Sequence, residues 1–237
     1  MINLVGHTDI FLCMVKVGLC VASGSFDRKI LIWNAKSGEC EHILSGHEGS
    51  VGIITGNDSH MFSGSTDHTI KEWDHLLNSL DGYTAPICAV TVSNHHLFSC
   101  EGNGPIKYWE LKRWTCLHDI KCPGNVRKMH IADHSLLISL DQNLAVINLG
   151  NLREDCKLKE PVEISLMIDK NLCTGFESTL KSLNTSNMKS IVSKDLKIDG
   201  VSFSVKCLYF DEVTGYLFIT CRCLCVKGRE KHVVLRL

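Results

Sequence analysis

The chain is 237 residues long, which suits one large domain or two small ones. With 44% hydrophobic and 22% charged residues it has the apolar content to build a core, which excludes overall disorder. Lys plus Arg (25) nearly cancels Asp plus Glu (26), so no bulk positive field draws the molecule to nucleic acid or an anionic membrane, and neither is an expected partner.

Thirteen cysteines, an odd number, are scattered from Cys13 to Cys225 without a short-period framework. The N-terminus MINLVGHTDI has no basic and apolar leader pattern, and no apolar run approaches the roughly 20 residues that span a bilayer. A soluble protein of a reducing intracellular compartment is expected, cytoplasmic with the nucleus left open.

In chain order, the first unit carries Gly6-His7 and then ASGSFDRKILIW (Ala22 to Trp33). Forty residues on, Gly46-His47 precedes FSGSTDHTIKEW (Phe62 to Trp73), with Ser, Gly, Ser, Asp, Ile and Trp in the same columns. A third copy, FSCEGNGPIKYW (Phe98 to Trp109), has Tyr83 in the His column and Asn103 in the Asp column. A fourth, ISLDQNLAVINL (Ile138 to Leu149), keeps Ser139 and the aliphatic columns, with Leu149 where Trp stood. A fifth is traced through Cys173 to Asn184, and a sixth through Tyr216 to Val226 and the C-terminal HVVLRL.

Each unit reads as four short strands separated by turn residues, as in VGIIT, HMFSGS and TIKEW of the second. No window has helical periodicity with caps. The fold class expected is therefore all-β.

A period near 40 residues, with GH upstream and a Trp-terminated strand downstream, resembles the WD-repeat family. Only Trp73-Asp74 is a true WD dipeptide. The resemblance implies a β-propeller of four-stranded antiparallel blades. Six blades' worth of repeats, about 5–44, 45–81, 82–120, 121–157, 158–199 and 200–237, form one domain over 1–237. The ring is either closed with six blades, Ile2 to Val5 giving the last strand, or an incomplete seven-bladed one open to self-association.

The resemblance also implies a buried chain of four side chains per blade: His7, Ser23, Asp27 and Trp33, then His47, Ser63, Asp67 and Trp73. A buried carboxylate, imidazole and indole are tolerable only as a connected set. The third unit cannot complete the charged version, and its blade is expected to be looser or to be stabilised by other packing. A His–Asp pair also suggests a catalytic dyad, but it recurs in two units and no nucleophile motif accompanies it, so no enzyme activity is expected. Cys221, Cys223 and Cys225 alternate along one strand near Cys207 and invite a zinc reading. Small buried thiols between sheets are preferred, since zinc ligands usually bracket a turn. Neither metal nor cofactor is expected.

Family members commonly bind proteins or peptides through the narrow face, formed by the turn between strands two and three and by the GH loop. That mapping places Phe26, Arg28, Thr66, His68, Glu101, Arg127 and Gln142 as partner-binding residues, beside Thr8, Asp9, Glu48, Ser50 and Lys128. Phe26 stands out as an aromatic in a tight turn next to an arginine, the usual composition of an interface anchor. The function expected is a non-catalytic scaffold for a protein or peptide. The alternative is a substrate-recognition subunit of a ubiquitin ligase, which would need several arginines converging on the channel.

Overall fold

A computed structural model describes residues 4–17, 20–57, 60–73, 78–93, 95–102, 104–122, 124–132, 134–141, 143–158, 162, 164–168, 171–176, 179–185, 189–195, 197–198, 201–211, 216–223 and 230–236. Beyond residue 154 it describes side chains only at 162, 165–167, 171–175, 179–185, 189, 190 and 193. Two compact units, Met1–Val126 and Arg127–Leu237, are distinguished.

All elements among the described residues are strands. Phe11–Val17 (β1), Cys20–Ser25 (β2), Ile30–Asn34 (β3) and Cys40–Leu44 (β4) pair antiparallel in chain order. The second sheet is Val51–Gly56 (β5), Met61–Ser65 (β6), Ile70–Glu72 (β7) and Ser79–Leu80 (β8). The third is Ile87–Val92 (β9), His96–Glu101 (β10), Ile106–Glu110 (β11) and Thr115–Ile120 (β12). Val126–Ala132 (β13), Ser135–Leu140 (β14), Leu144–Asn148 (β15) and Arg153–Leu158 (β16) make the fourth. Ile164–Ile168 (β17), Asn171–Phe176 (β18), Thr179–Asn184 (β19) and Ser190–Asp195 (β20) make the fifth.

The last sheet is uneven: Lys197–Ile198 (β21) is two residues long, Val201–Asp211 (β22) eleven, followed by Tyr216–Cys223 (β23) and Glu230–Arg236 (β24). Of the six blades' worth of repeats expected, five form regular blades and this uneven sheet follows them. Leu4 and Val5, expected in a closing strand, lie in irregular backbone, and Ile2 lies outside the described residues.

Burial grades across each blade. The second strands are the most enclosed, with β6 buried at every residue, whereas β4 and most of β12 face solvent. The small Ser-Gly-Ser sequence of β2 and β6 follows from close packing against the next blade. A Cβ on Gly24 would lie 2.7 Å from the Val51 carbonyl oxygen, and one on Gly64 would lie 2.6 Å from Ile87 Cγ2. Between the first two blades Ala22, Ile30, Val51, Ile54 and Met61 form an apolar core, and between the second and third Phe62, Ile70, Ile87, Val90 and Leu97 form another. The second unit has its own, built on Leu137, Leu144, Val146, Leu172 and Leu183.

Two bulges recur. The first strand of a blade is bulged at Leu12, Gly52 and Cys88, where the ladder skips one residue. The third-to-fourth strand pairing shifts beside Trp33, Trp109, Ile147 and Leu183. These shifts move the Trp column of the fourth unit from Leu149 to Ile147. Its partner across the hairpin is Leu136, as Leu97 is for Trp109, so the Ser column falls on Ile138 rather than Ser139.

Candidate functional site

In the first blade Trp33 Nε1–H donates to Ser23 Oγ at 2.7 Å, Ser23 and His7 Nε2 are 2.8 Å apart, and His7 Nδ1 is 2.8 Å from Asp27 Oδ2. Indole N–H can only donate and a carboxylate can only accept, so with a neutral imidazole the proton order is fixed: Trp to Ser, Ser to His, His to Asp. The second blade repeats it with Trp73, Ser63, His47 and Asp67 at 2.7 Å for all three links. All eight expected side chains are therefore joined in two networks.

The carboxylates extend each chain into the loops. Asp27 accepts the N–H groups of Thr8 and Lys29, both at 3.0 Å; Asp67 accepts those of Glu48 and Thr69, both at 2.9 Å, and the Thr69 hydroxyl at 2.7 Å. One side chain thus ties the GH loop to the turn after the second strand. Burial would raise the Asp67 carboxyl, but the Thr69, His47 and Glu48 hydrogen bonds outweigh it and hold it at about 2. Asp27 is likewise held low: burial opposes, while His7 and the Lys29 and Thr8 N–H groups prevail. His47 is pushed below its ordinary value by burial, against the pull of Asp67.

The third blade follows the second of its two expected courses, stabilisation by other contacts. Tyr83 Oη lies 2.5 Å from Ser99 Oγ, and Trp109 Nε1–H donates to both hydroxyls at 3.0 Å. Asn103 lies outside the described residues. Glu101 holds the loop of this blade: its carboxylate accepts the Thr84 N–H and, at 2.7 Å, the Ala85 N–H. Glu101 is 7% exposed and committed to this loop, which removes it from the expected contact surface.

The turn between β2 and β3 presents Phe26, 50% exposed, and Arg28 in the left-handed region at φ 67°. His68 has the same φ of 67° in the second blade. Phe26 and Arg28 border a shallow depression of about 490 Å³ with Thr8, Asp9, Lys29, Ser45 and Gly46. Gly46 carried the signal of the GH motif, whereas Lys29 and Ser45 had none, because the depression forms where the turn of one blade meets the loop of the next. Thr66 is exposed and its Oγ1 accepts the Ser50 N–H at 2.9 Å. In the second unit Arg127 is exposed and donates to Asp141 Oδ1 at 2.5 Å, and Lys128 Nζ donates inward to the Ser165 carbonyl oxygen at 2.9 Å. Gln142 lies outside the described residues, as do Cys225 and the side chains of Cys207, Cys221 and Cys223.

Sequence reasoning missed two buried polar groups. Glu72 pairs with His60 at 2.6 Å and accepts from Asn78 at 2.7 Å. In the second unit Ser165 meets His130 Nε2 at 2.9 Å and Ser139 Oγ at 3.0 Å. Burial first, then the Lys128 charge, push His130 down to about 3, so it is a neutral partner at pH 7. His130 and Ser165 are 35 residues apart, and no local spacing signals them.

No helix among the described residues is long and apolar enough to cross a membrane. The model of the family described as WD domain, G-beta repeat matches residues 1–34 and 38–74. The chain is similar to the transcriptional corepressor LEUNIG_HOMOLOG of Arabidopsis thaliana, 29% identical over 117 residues, covering 44% of this chain and 14% of that protein. It is 39% identical over 77 residues to coatomer subunit beta'-2 of the same plant, covering 29% of this chain and 8% of that one. The matched stretch is thus a small part of either relative. The solved structure of U3-55K superposes with a TM-score of 0.77 at 14% identity, over 94% of this chain and 83% of that one, which establishes the fold as a β-propeller. Family-model match, relatives and blade geometry agree that the repeats of residues 1–74 are similar to those of WD-repeat β-propellers, proteins that generally mediate protein interactions.

Proposed function

We propose that the chain is a non-catalytic scaffold that binds a peptide or protein on the face carrying the GH loops and the turns between second and third strands. The observation that carries this reading is the depression beside Phe26 and Arg28, where half-exposed aromatic area adjoins two cations and the Asp9 carboxylate on a hydrogen-bonded base. An aromatic with an arginine supplies apolar area and directed hydrogen bonds, and a stiff base lowers the entropy cost of binding. Thr66 and His68 extend the surface in the first unit; Arg127 and Gln142 are retained as contacts of the second. The ubiquitin-ligase reading draws less support, since Arg28 is the one arginine at this depression.

The test is recovery of binding partners on the immobilised chain, comparing the parent with a Phe26→Ala, Arg28→Ala double variant and with Glu48→Ala as control. Loss in the double variant alone is expected. Equal recovery from all three removes the assignment of this face.

Self-association is a second reading with its own observation. Val5, Ile10, Phe11 and Met14 of the first blade are exposed, and Leu4, Val5, Phe11, Met14 and Trp33 line an apolar hollow of about 360 Å³. Sedimentation of the parent and of a Phe11→Ser, Met14→Ser variant should show concentration-dependent association in the parent only.

A further inference from the structure

The first two blades build the same turn and equip it differently. Ser25-Phe26-Asp27-Arg28-Lys29 of the first stands in the columns of Ser65-Thr66-Asp67-His68-Thr69 of the second, and Arg28 and His68 share a φ of 67°. The backbone anchors match as well: Phe26 N–H donates to the Ile10 carbonyl oxygen at 2.9 Å and Thr66 N–H to that of Ser50 at 3.0 Å. In the second blade the turn side chains are engaged within the fold, the Thr69 hydroxyl donating to Asp67 at 2.7 Å and Thr66 Oγ1 accepting the Ser50 N–H at 2.9 Å. In the first the same positions hold Lys29 and the half-exposed Phe26. Arg28 and Lys29 are exposed, and among the described residues neither charged head has a hydrogen-bond or ion-pair partner.

The acceptors lining the same depression are, by contrast, already occupied. Asp27 Oδ2 takes the His7 ring and the Thr8 N–H, Asp27 Oδ1 takes the Lys29 N–H, and Asp9 Oδ1 takes the Ile10 N–H at 2.7 Å. Of these carboxylate oxygens Asp9 Oδ2 is the one left open. It faces the unengaged donors of a guanidinium and an ammonium, to which the exposed hydroxyls of Thr8 and Ser45 add. The formal charges of Arg28 and Lys29 balance those of Asp9 and Asp27, so selection here comes from directed hydrogen bonds rather than from a net field. The loop across the depression differs between the blades too: Ser45, a neutral donor, precedes Gly46, whereas an acidic residue, Asp81, precedes Gly82.

We propose, resting on the reading of this face as the binding surface, that the turn of the first blade takes an acidic peptide segment. The side-chain carboxylate of an Asp or Glu sits on the Arg28 guanidinium and the Lys29 ammonium, and an apolar side chain next to it packs on the Phe26 ring. A carboxylate brings acceptors where donors are in excess, and its planar pair of oxygens matches the guanidinium fork. A singly charged carboxylate also tolerates Asp9 better than a phosphate would, since Arg28 is the one arginine at the depression. The matching turn of the second blade, with Thr66, His68 and Thr69, has neither the aromatic nor the permanent cations.

The test measures binding of the full chain to immobilised short peptides in which glutamate, glutamine, lysine or phosphoserine stands next to leucine. The parent should bind the glutamate peptides best, a ranking that requires no variant to fold. An Arg28→Glu, Lys29→Glu double variant should lose on the order of tenfold or more in affinity for them. Asp9→Asn, which keeps an oxygen for the Ile10 N–H and removes a like charge, should gain about threefold. A parent that binds no glutamate peptide, ranks glutamate no higher than glutamine, or prefers lysine or phosphoserine overturns the proposal, as does weaker binding of glutamate peptides by Asp9→Asn. Phe26→Ala separates the two failures. If it weakens whichever peptides bind although glutamate is not preferred, the surface stands and the acidic assignment falls; if it weakens none, the surface assignment falls with it.

Discussion

The Glu101 carboxylate accepts the backbone N–H of Ala85 at 2.7 Å, doing for the third blade, from a position two columns earlier, what Asp27 and Asp67 do for the first two. The longer glutamate reaches the same loop from the strand rather than from the turn. Glu101→Ala strands two loop N–H groups and is expected to cost about 1–3 kcal/mol. Chemical denaturation should place this variant beside Asp67→Ala; a loss no larger than that of an exposed residue would show that the substitution of roles is not energetic.

Asp67→Ala is expected to lower the melting temperature far more than Glu48→Ala. The first leaves His47, Glu48 N–H and Thr69 without their acceptor, whereas the Glu48 side chain is exposed and only its backbone joins the network. Calorimetry of both variants decides it, equal melting temperatures counting against the network.

Stability should fall as pH falls. Asp67 is held at about 2 in the folded state against an ordinary 3.8, so its contribution is complete above about pH 4 and is lost as pH drops toward 2. Asp27 acts in the same direction. His47, kept below its ordinary 6.5 by burial, must be protonated only in the unfolded chain as pH falls below that value, which adds a loss of the same sign. Unfolding free energies measured from pH 7 to 2 should decline throughout, and an Asp67→Asn variant should decline less between pH 4 and 2.

Two glycines separate close approach from open space. Gly64→Ala would drive a methyl to 2.6 Å from Ile87 Cγ2 and should destabilise by about 1–3 kcal/mol. Gly52→Ala meets nothing within 4 Å and should be neutral or stabilising by up to about 1 kcal/mol, since it restricts the unfolded chain. Paired denaturation curves test both.

Arg28 carries a left-handed backbone, so Arg28→Gly should leave stability within about 1 kcal/mol of the parent: relief of roughly 1–2 kcal/mol offsets glycine's added chain entropy of roughly 0.5–1 kcal/mol. Partner recovery should nevertheless fall, because the guanidinium is gone. Preserved stability with undiminished recovery would take Arg28 out of the contact surface.

The two complete networks were legible because His, Ser, Asp and Trp hold fixed spacings of 16 and 10 residues in both copies. Tyr83 was found by the same columns, but Glu101 was not. Its role depends on side-chain length from a neighbouring column, which a column comparison cannot weigh. In the fourth unit the Ser and Trp columns became Ile138 and Ile147, so no polar letters anchor the alignment and the shift of Trp from Leu149 shows only in the ladder. The Ser165, Ser139 and His130 cluster depends on strands of successive blades meeting, as does the depression beside Phe26, and such meetings have no short-range sequence signature.

The recurrent skip in the first strand has a consequence for how the blades diverge. At Leu12, Gly52 and Cys88 the ladder is already relieved of one residue, so the occupant of that socket is not bound by the pairing of its neighbours. A leucine, a bare glycine and a sulfur-bearing residue fill it in turn. Successive copies can therefore acquire separate chemistries at a shared address while the surrounding sheet keeps its register.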